Sequence, residues 1–143
     1  MDKKQIVKNF IKAIEQNDIQ AVDHLDDDFI MDLPVPMHFG SVELLTFMQM
    51  VKASMPDLVF DIKTLSENGN KISASISSSG TYQNDFIMPG YFNVAASGQP
   101  INIPDANFEF IFLNNKISQI KILGLPSGMN LMKDIDYQLP GNN

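Results

Sequence analysis

A chain of 143 residues, 44% apolar and 19% charged, has the size and composition of one globular domain, residues 1–143, able to bury roughly 70% of the surface its unfolded form exposes. Its net charge of -7 and its ten basic residues, all lysine, argue against nucleic acid. Phosphate neutralisation needs clustered cations, the sequence shows no such cluster, and without arginine there is no planar fork for phosphates or carboxylates. The absence of cysteine removes disulfides, thiolate metal sites and a cysteine nucleophile.

Near the N-terminus, Lys8, Asn9 and Lys12 interrupt the apolar residues, so no signal-peptide core forms, and no apolar run approaches the ~20 residues of a membrane span. A cytoplasmic protein without membrane contact is expected. Ile6, Val7, Phe10, Ile11 and Ile14 recur at helical spacing, which predicts an amphipathic helix from Lys3 to Gln16 that stops at Asn17 and Asp18. Asp18 can cap a second, shorter helix burying Ala21, Val22 and Leu25. The run Asp26-Asp27-Asp28 reads as a solvated turn into a strand from Phe29 to Leu33, which Pro34 and Pro36 end. Ser41 is a candidate N-cap for a third helix whose buried stripe is Leu44, Leu45, Met48, Val51 and Met55, with Pro56 as terminator.

From Leu58 the period changes to two. Leu58, Phe60 and Ile62 alternate with Val59, Asp61 and Lys63, and Asn68-Gly69 turns the chain into a strand from Lys71 to Thr81. Residues Tyr82 to Gln99 form a long connection with large side chains, including Phe86 and Tyr91, a length typical of lids and binding loops. Two strands close the pattern, Ile101 to Leu113 and Lys116 to Leu123. In the first, Phe108, Phe110 and Phe112 share one face and Asp105, Asn107 and Glu109 the other. Helices followed by an antiparallel sheet predict an α+β domain.

Between Met55 and Ile122 four landmarks come in a fixed order: Met55-Pro56-Asp57-Leu58, Gly80-Thr81-Tyr82, Ser97-Gly98-Gln99 and Asn114-Asn115-Lys116-Ile117. In order and spacing they resemble the SnoaL-like branch of the NTF2-like superfamily, known for polyketide cyclases, and with the helices before them the resemblance covers nearly the whole chain. It implies an NTF2-like cone, a strongly curved mixed, mostly antiparallel sheet with about three N-terminal helices enclosing a hydrophobic pocket. The implied ligand is a small hydrophobic molecule. The implied chemistry is proton transfer on carbonyl compounds by an acid or base in an apolar pocket, with neither metal nor cofactor, as in the ketosteroid isomerase pattern.

Asp32, at the end of the first strand, stands where a SnoaL-like protein carries a polar pocket residue; the alternative is a solvated strand-end carboxylate. His38 lies just beyond, in an apolar loop, as an acid or base or as a hydrogen-bonded loop histidine. Tyr82 follows Gly80-Thr81, where many relatives have histidine. Its phenol could orient or protonate a carbonyl oxygen, or simply wall the pocket. The expected lining comprises Met48, Val51, Phe60, Phe86 and Tyr91, between the sheet and the helix from Ser41 to Met55, with Asp105 and Asn107 either lining the cavity or facing solvent. Two histidines without cysteine make no metal site.

The chain departs from the family pattern near its C-terminus. It has no tryptophan after the last hairpin, and Asn130 or Leu131 falls near the position of the cyclases' aspartate base. Asp134 and Asp136 are close by in sequence and read as a solvated tail. Two readings follow: an isomerase, cyclase or hydratase resting on Asp32, His38 and Tyr82, or a non-catalytic ligand-binding or protein-interaction module. A homodimer joined through the sheets is expected in either case, because one curved sheet can cover only one face with its own helices.

Overall fold

The computed structural model describes residues 2–32, 38–88 and 92–124. Tyr91, the prolines at 34 and 36, and the C-terminal stretch containing Asn130, Leu131, Asp134 and Asp136 lie outside the described residues.

Helix α1 (Lys3–Glu15) begins where Asp2 accepts a hydrogen bond from the Gln5 N–H at 2.7 Å, satisfying one of the donors a helix start leaves free. Its buried face is Ile6, Val7, Phe10 and Ile14, as the spacing predicts. The helix stops at Asn17, whose φ of 57° is left-handed, a conformation asparagine tolerates. Asp18 then caps a short 3-10 helix (Ile19–His24) by accepting from the Gln20 N–H.

Strand β1 (Leu25–Asp32) starts four residues before the predicted Phe29. Leu25, assigned to the helix by its apolar character, is instead a β1 residue opposite Ile117 of the last strand. The acidic run lies within the strand, where Asp26 Oδ2 accepts from the Asp28 N–H and the pairing shifts register between Leu25 and Ile30. Val22, expected to be buried, is exposed. Strand β2 (His38–Phe39) pairs with the end of β1, Met31 opposite Phe39 and Asp32 opposite His38.

Helix α2 (Ser41–Ser54) is capped one residue earlier than predicted: Gly40 is the N-cap, and its N–H donates to Glu43 Oε1 at 3.0 Å. At the other end the Gln83 and Asn84 N–H groups both donate to the Ser54 carbonyl, and Asn84 Nδ2 donates to that of Ala53. The connection after Tyr82 thus satisfies carbonyls that the helix leaves free.

Strands β3 (Val59–Asn68) and β4 (Lys71–Thr81) form a hairpin through Gly69, whose φ is +64°. The predicted long loop contains a short hairpin of its own, β5 (Phe86–Met88) with β6 (Phe92–Val94). Strands β7 (Pro100–Leu113) and β8 (Lys116–Gly124) turn at Asn114, φ 58°. The main sheet has six strands in the order β2-β1-β8-β7-β4-β3. Every pair is antiparallel except β1 with β8, so the expected mixed, mostly antiparallel α+β fold is present.

Alternation gives this sheet two unlike faces. Ile72, Ala74, Ile76, Phe110 and Ile120 are buried in one core with α1 and α2. Burying an isoleucine or phenylalanine side chain stabilises by roughly 1.5–3 kcal/mol relative to exposure, before ordering costs. Residues one position away, among them Ser73, Ser75, Asn107, Glu109 and Gln119, stand on the opposite face, which no described helix covers. Among the described residues no helix is long and apolar enough to cross a membrane.

Candidate functional site

Pairing at the end of β1 decides what Asp32 can meet. Met31 lies opposite Phe39 and Ile120 and packs towards the helices, where Phe39 contacts the Phe47 ring of α2 at 5.3 Å between centroids. Period-two alternation therefore turns Asp32 to the open face, with His38 beside it on β2 and Lys121 as its register partner on β8. Gln119 Nε2 donates to Asp32 Oδ2. The other carboxylate oxygen, Oδ1, lies 3.9 Å from His38 Nδ1. Asp32 keeps 41% of its side-chain exposure and His38 74%.

Asp32 and His38 thus come together, on the exposed face and not in an apolar cavity, and Asp32 is also held by Gln119, which the sequence reading missed. Its one local signal is a polar residue inside Ile117-Ser118-Gln119-Ile120. Placing it beside Asp32 needs the parallel contact between first and last strands, which no local pattern reports. Chemically the cluster is a carboxylate with one oxygen fixed by an amide donor and the other open to an imidazole and to a ligand.

Tyr82 is elsewhere, beyond the end of α2. Its N–H donates to the Gln99 carbonyl and its own carbonyl accepts from the Gly98 N–H. The side chain is half-buried, and burial, with Asp85 nearby adding to it, pushes the phenol's pKa up. That keeps it protonated, as a donor rather than a base. Phe86 is buried edge-on against Phe47, ring centroids 5.7 Å apart, so it anchors β5 on α2.

The other expected lining residues are dispersed. Met48 borders a narrow crevice with Ile14 and Leu45 that has no room for a water. Val51 is half-buried on α2. Phe60 lies in a groove between α1 and β3. Asp105 and Asn107 are exposed, and Asn107 shares a recess of about 260 Å³ on the open face with Ser73, Ser75 and Leu123. Among the described residues no group of three or more histidine, aspartate or glutamate side chains could hold a metal ion.

Two of the four sequence landmarks prove to be halves of one joint. Asp57 Oδ1 accepts from the Thr81 N–H at 2.7 Å, and the bonds from Thr81 hold its carboxyl below the usual carboxylate range. The same close approach favours glycine at position 80. A Cβ there would lie 3.3 Å from Leu58 Cα and 3.4 Å from both Asp57 Oδ1 and Met55 Cβ. The proline-aspartate-leucine and glycine-threonine steps therefore dock the end of α2 against the end of β4, a structural rather than a chemical role.

With the geometry in place, the comparisons with known proteins converge. The SnoaL-like domain model matches residues 7–120. A SnoaL-like polyketide cyclase from Agrobacterium tumefaciens superposes with a TM-score of 0.67 at 16% identity, covering 85% of this chain and 89% of that one. TsrD from Streptomyces laurentii gives 0.68 at 19% identity, with 84% and 87% covered. An NTF2-like protein of unknown function from Burkholderia pseudomallei gives 0.68 at 16% identity over 94% and 98% of the two chains. At these identities the likeness speaks for the fold. No curated protein sequence matches the chain.

Proposed function

This chain belongs to the SnoaL-like domain family, and on that premise we propose that it performs acid–base chemistry on a small hydrophobic carbonyl compound, with Asp32 as the proton acceptor. The observation that carries the reading is the convergence of Asp32, Gln119 and His38 at the end of β1. The Gln119 amide fixes the carboxylate plane. The free Oδ1 takes a proton from the carbon next to a carbonyl, leaving an enolate and a neutral carboxylic acid. Returning that proton to another carbon of the delocalised enolate isomerises the compound; attack of the enolate carbon on a second carbonyl of the same molecule cyclises it, and the carboxylic acid then gives its proton to the alkoxide that forms. An apolar ligand closing over a carboxylate strips water from it and increases its basicity, so exposure without ligand is compatible with this role. His38, when protonated, can donate to the developing oxyanion.

Hydrogen–deuterium exchange at the α-carbon of enolisable hydrophobic ketones, followed by NMR in heavy water, tests the reading. The wild type should accelerate exchange, and Asp32→Asn should lose about a hundredfold or more of it while keeping ligand affinity, because the isostere preserves shape and removes the base. A variant that exchanges as fast as wild type would remove Asp32 from the mechanism.

The second reading, a non-catalytic ligand-binding or protein-interaction module, is favoured by the exposure of both side chains. It expects ligand binding with no exchange by either protein. Under both readings the open sheet face, with Ile30 and Leu123 exposed on it, is the surface through which two copies would pair, in the cytoplasm. Sedimentation showing only monomer at micromolar concentration would refute that pairing.

A further inference from the structure

At the end of the sheet opposite β2, a groove of about 620 Å³ runs between α1 and β3. Its floor is apolar, built from Ile11, Phe60, Ile62 and Leu65, and one wall is the row Lys4, Lys8 and Lys12. With Lys63 also at the groove, four of the chain's ten basic residues line one channel of a protein whose net charge is -7. Among the described residues Lys4, Lys8 and Lys12 form no ion pair or side-chain hydrogen bond. Glu15 also lines the groove, where its Oε2 accepts from the Phe60 N–H at 2.8 Å, and Asp61 holds Lys63 at 2.7 Å, so neither carboxylate pairs with the lysine row.

Strand β3 is an edge strand. The Phe60 N–H points away from β4 towards Glu15, and the alternation of an antiparallel ladder turns the backbone groups of Ile62 the same way. The Phe60 N–H is taken by Glu15, and the outward-facing backbone groups of Ile62 are the part of the edge that can serve as a template for one more strand. The lysine row fits such a strand in spacing. Four residues of α-helix advance about 6 Å, and alternate residues of an extended strand lie about 6.6 Å apart. We infer that this groove binds an extended acidic segment of a partner protein. The segment adds to the edge of β3 and sets successive same-face carboxylates against Lys4, Lys8 and Lys12, with the methylenes of those side chains over Ile11, Ile62 and Leu65, while its alternate side chains turn to the other face of the sheet. A row of three unpartnered cations matches a row of carboxylates better than the single charged head of a fatty acid.

Fluorescence anisotropy of a labelled hexapeptide alternating glutamate and valine tests this, with a glutamine–valine peptide as control. Lys4, Lys8 and Lys12 are exposed, so the triple variant Lys4→Gln, Lys8→Gln, Lys12→Gln should fold, which circular dichroism verifies. The glutamate peptide should bind wild type, shift the amide signals of Phe60 and Ile62, and weaken about tenfold or more in the triple variant and at high salt. No binding, equal affinity for the control peptide, or an unchanged triple variant would overturn the proposal. Decanoate shifting the same amides while the peptide does not would overturn it in favour of an anionic amphiphile. Self-association lost in the triple variant, with no peptide binding, would overturn it in favour of a second copy.

Discussion

The two faces of the six-stranded sheet are built from the same strands and differ in every other respect. On one, Ile72, Phe110 and Ile120 interlock with α1 and α2, and Phe110 keeps 1% of its exposure. On the other, Asp32, Gln119, Glu109 and a row of serines stand without a covering helix among the described residues. The contrast teaches where a substitution is felt. A change on the packed face is read as stability, because close-packed atoms have no room to relax, and a change on the open face is read as ligand chemistry.

The largest expected effect breaks the packed side. Phe110→Ala removes a fully buried ring and should cost about 3–5 kcal/mol by chemical denaturation; a loss under 1 kcal/mol would mean that the two faces are not as unlike as the burial indicates. Next comes the joint between the end of α2 and the end of β4. Gly80→Val pushes a branched side chain against the Leu58 backbone and should cost about 1–3 kcal/mol, with a wild-type melting temperature as the result that contradicts it.

Asp57→Asn should lower the melting temperature by a few degrees, and its signature is the pH dependence. The Thr81 hydrogen bonds hold the folded-state pKa of Asp57 below its unfolded value. Its contribution is therefore complete above about 3.9 and is lost as pH falls through the lower folded value. Wild type should lose stability more steeply than Asp57→Asn on acidification through that window, and parallel curves would refute the linkage. The smallest effect on folding belongs to the open face. Asp32→Asn should stay within about 0.5 kcal/mol of wild type, since asparagine still offers Gln119 an acceptor oxygen. A loss comparable to that of Phe110→Ala would make Asp32 a structural residue.

What was legible in the sequence follows the range of the interactions concerned. The period of two set Phe108, Phe110 and Phe112 on one face and Asp105, Asn107 and Glu109 on the other, because alternation is a local property of a strand, while which face meets the core depends on the packing of the helices. The buried stripe of α1 was legible for the same reason, at helical period. The start of β1 was not, since only the parallel contact of Leu25 with Ile117, between opposite ends of the chain, extends the strand through an acidic run. The same contact hid Gln119. The lysine groove was invisible in a different way: Lys4, Lys8 and Lys12 look solvated at four-residue spacing, and they become one wall only when Phe60 and Ile62 lie opposite them. Asp57 and Gly80 were recognised as landmarks, and their mutual contact explains why they occur together.

The assignment of chemistry to the open face meets its most direct test in where a ligand binds. Mapping amide chemical-shift changes on titration with a hydrophobic enolisable ketone should show the largest shifts at Asp32, His38 and Gln119, at the end of β1 and on its neighbours. Shifts confined to α2 around Met48 and Val51, with Asp32 and Gln119 silent, would place the ligand against the packed face and contradict the account.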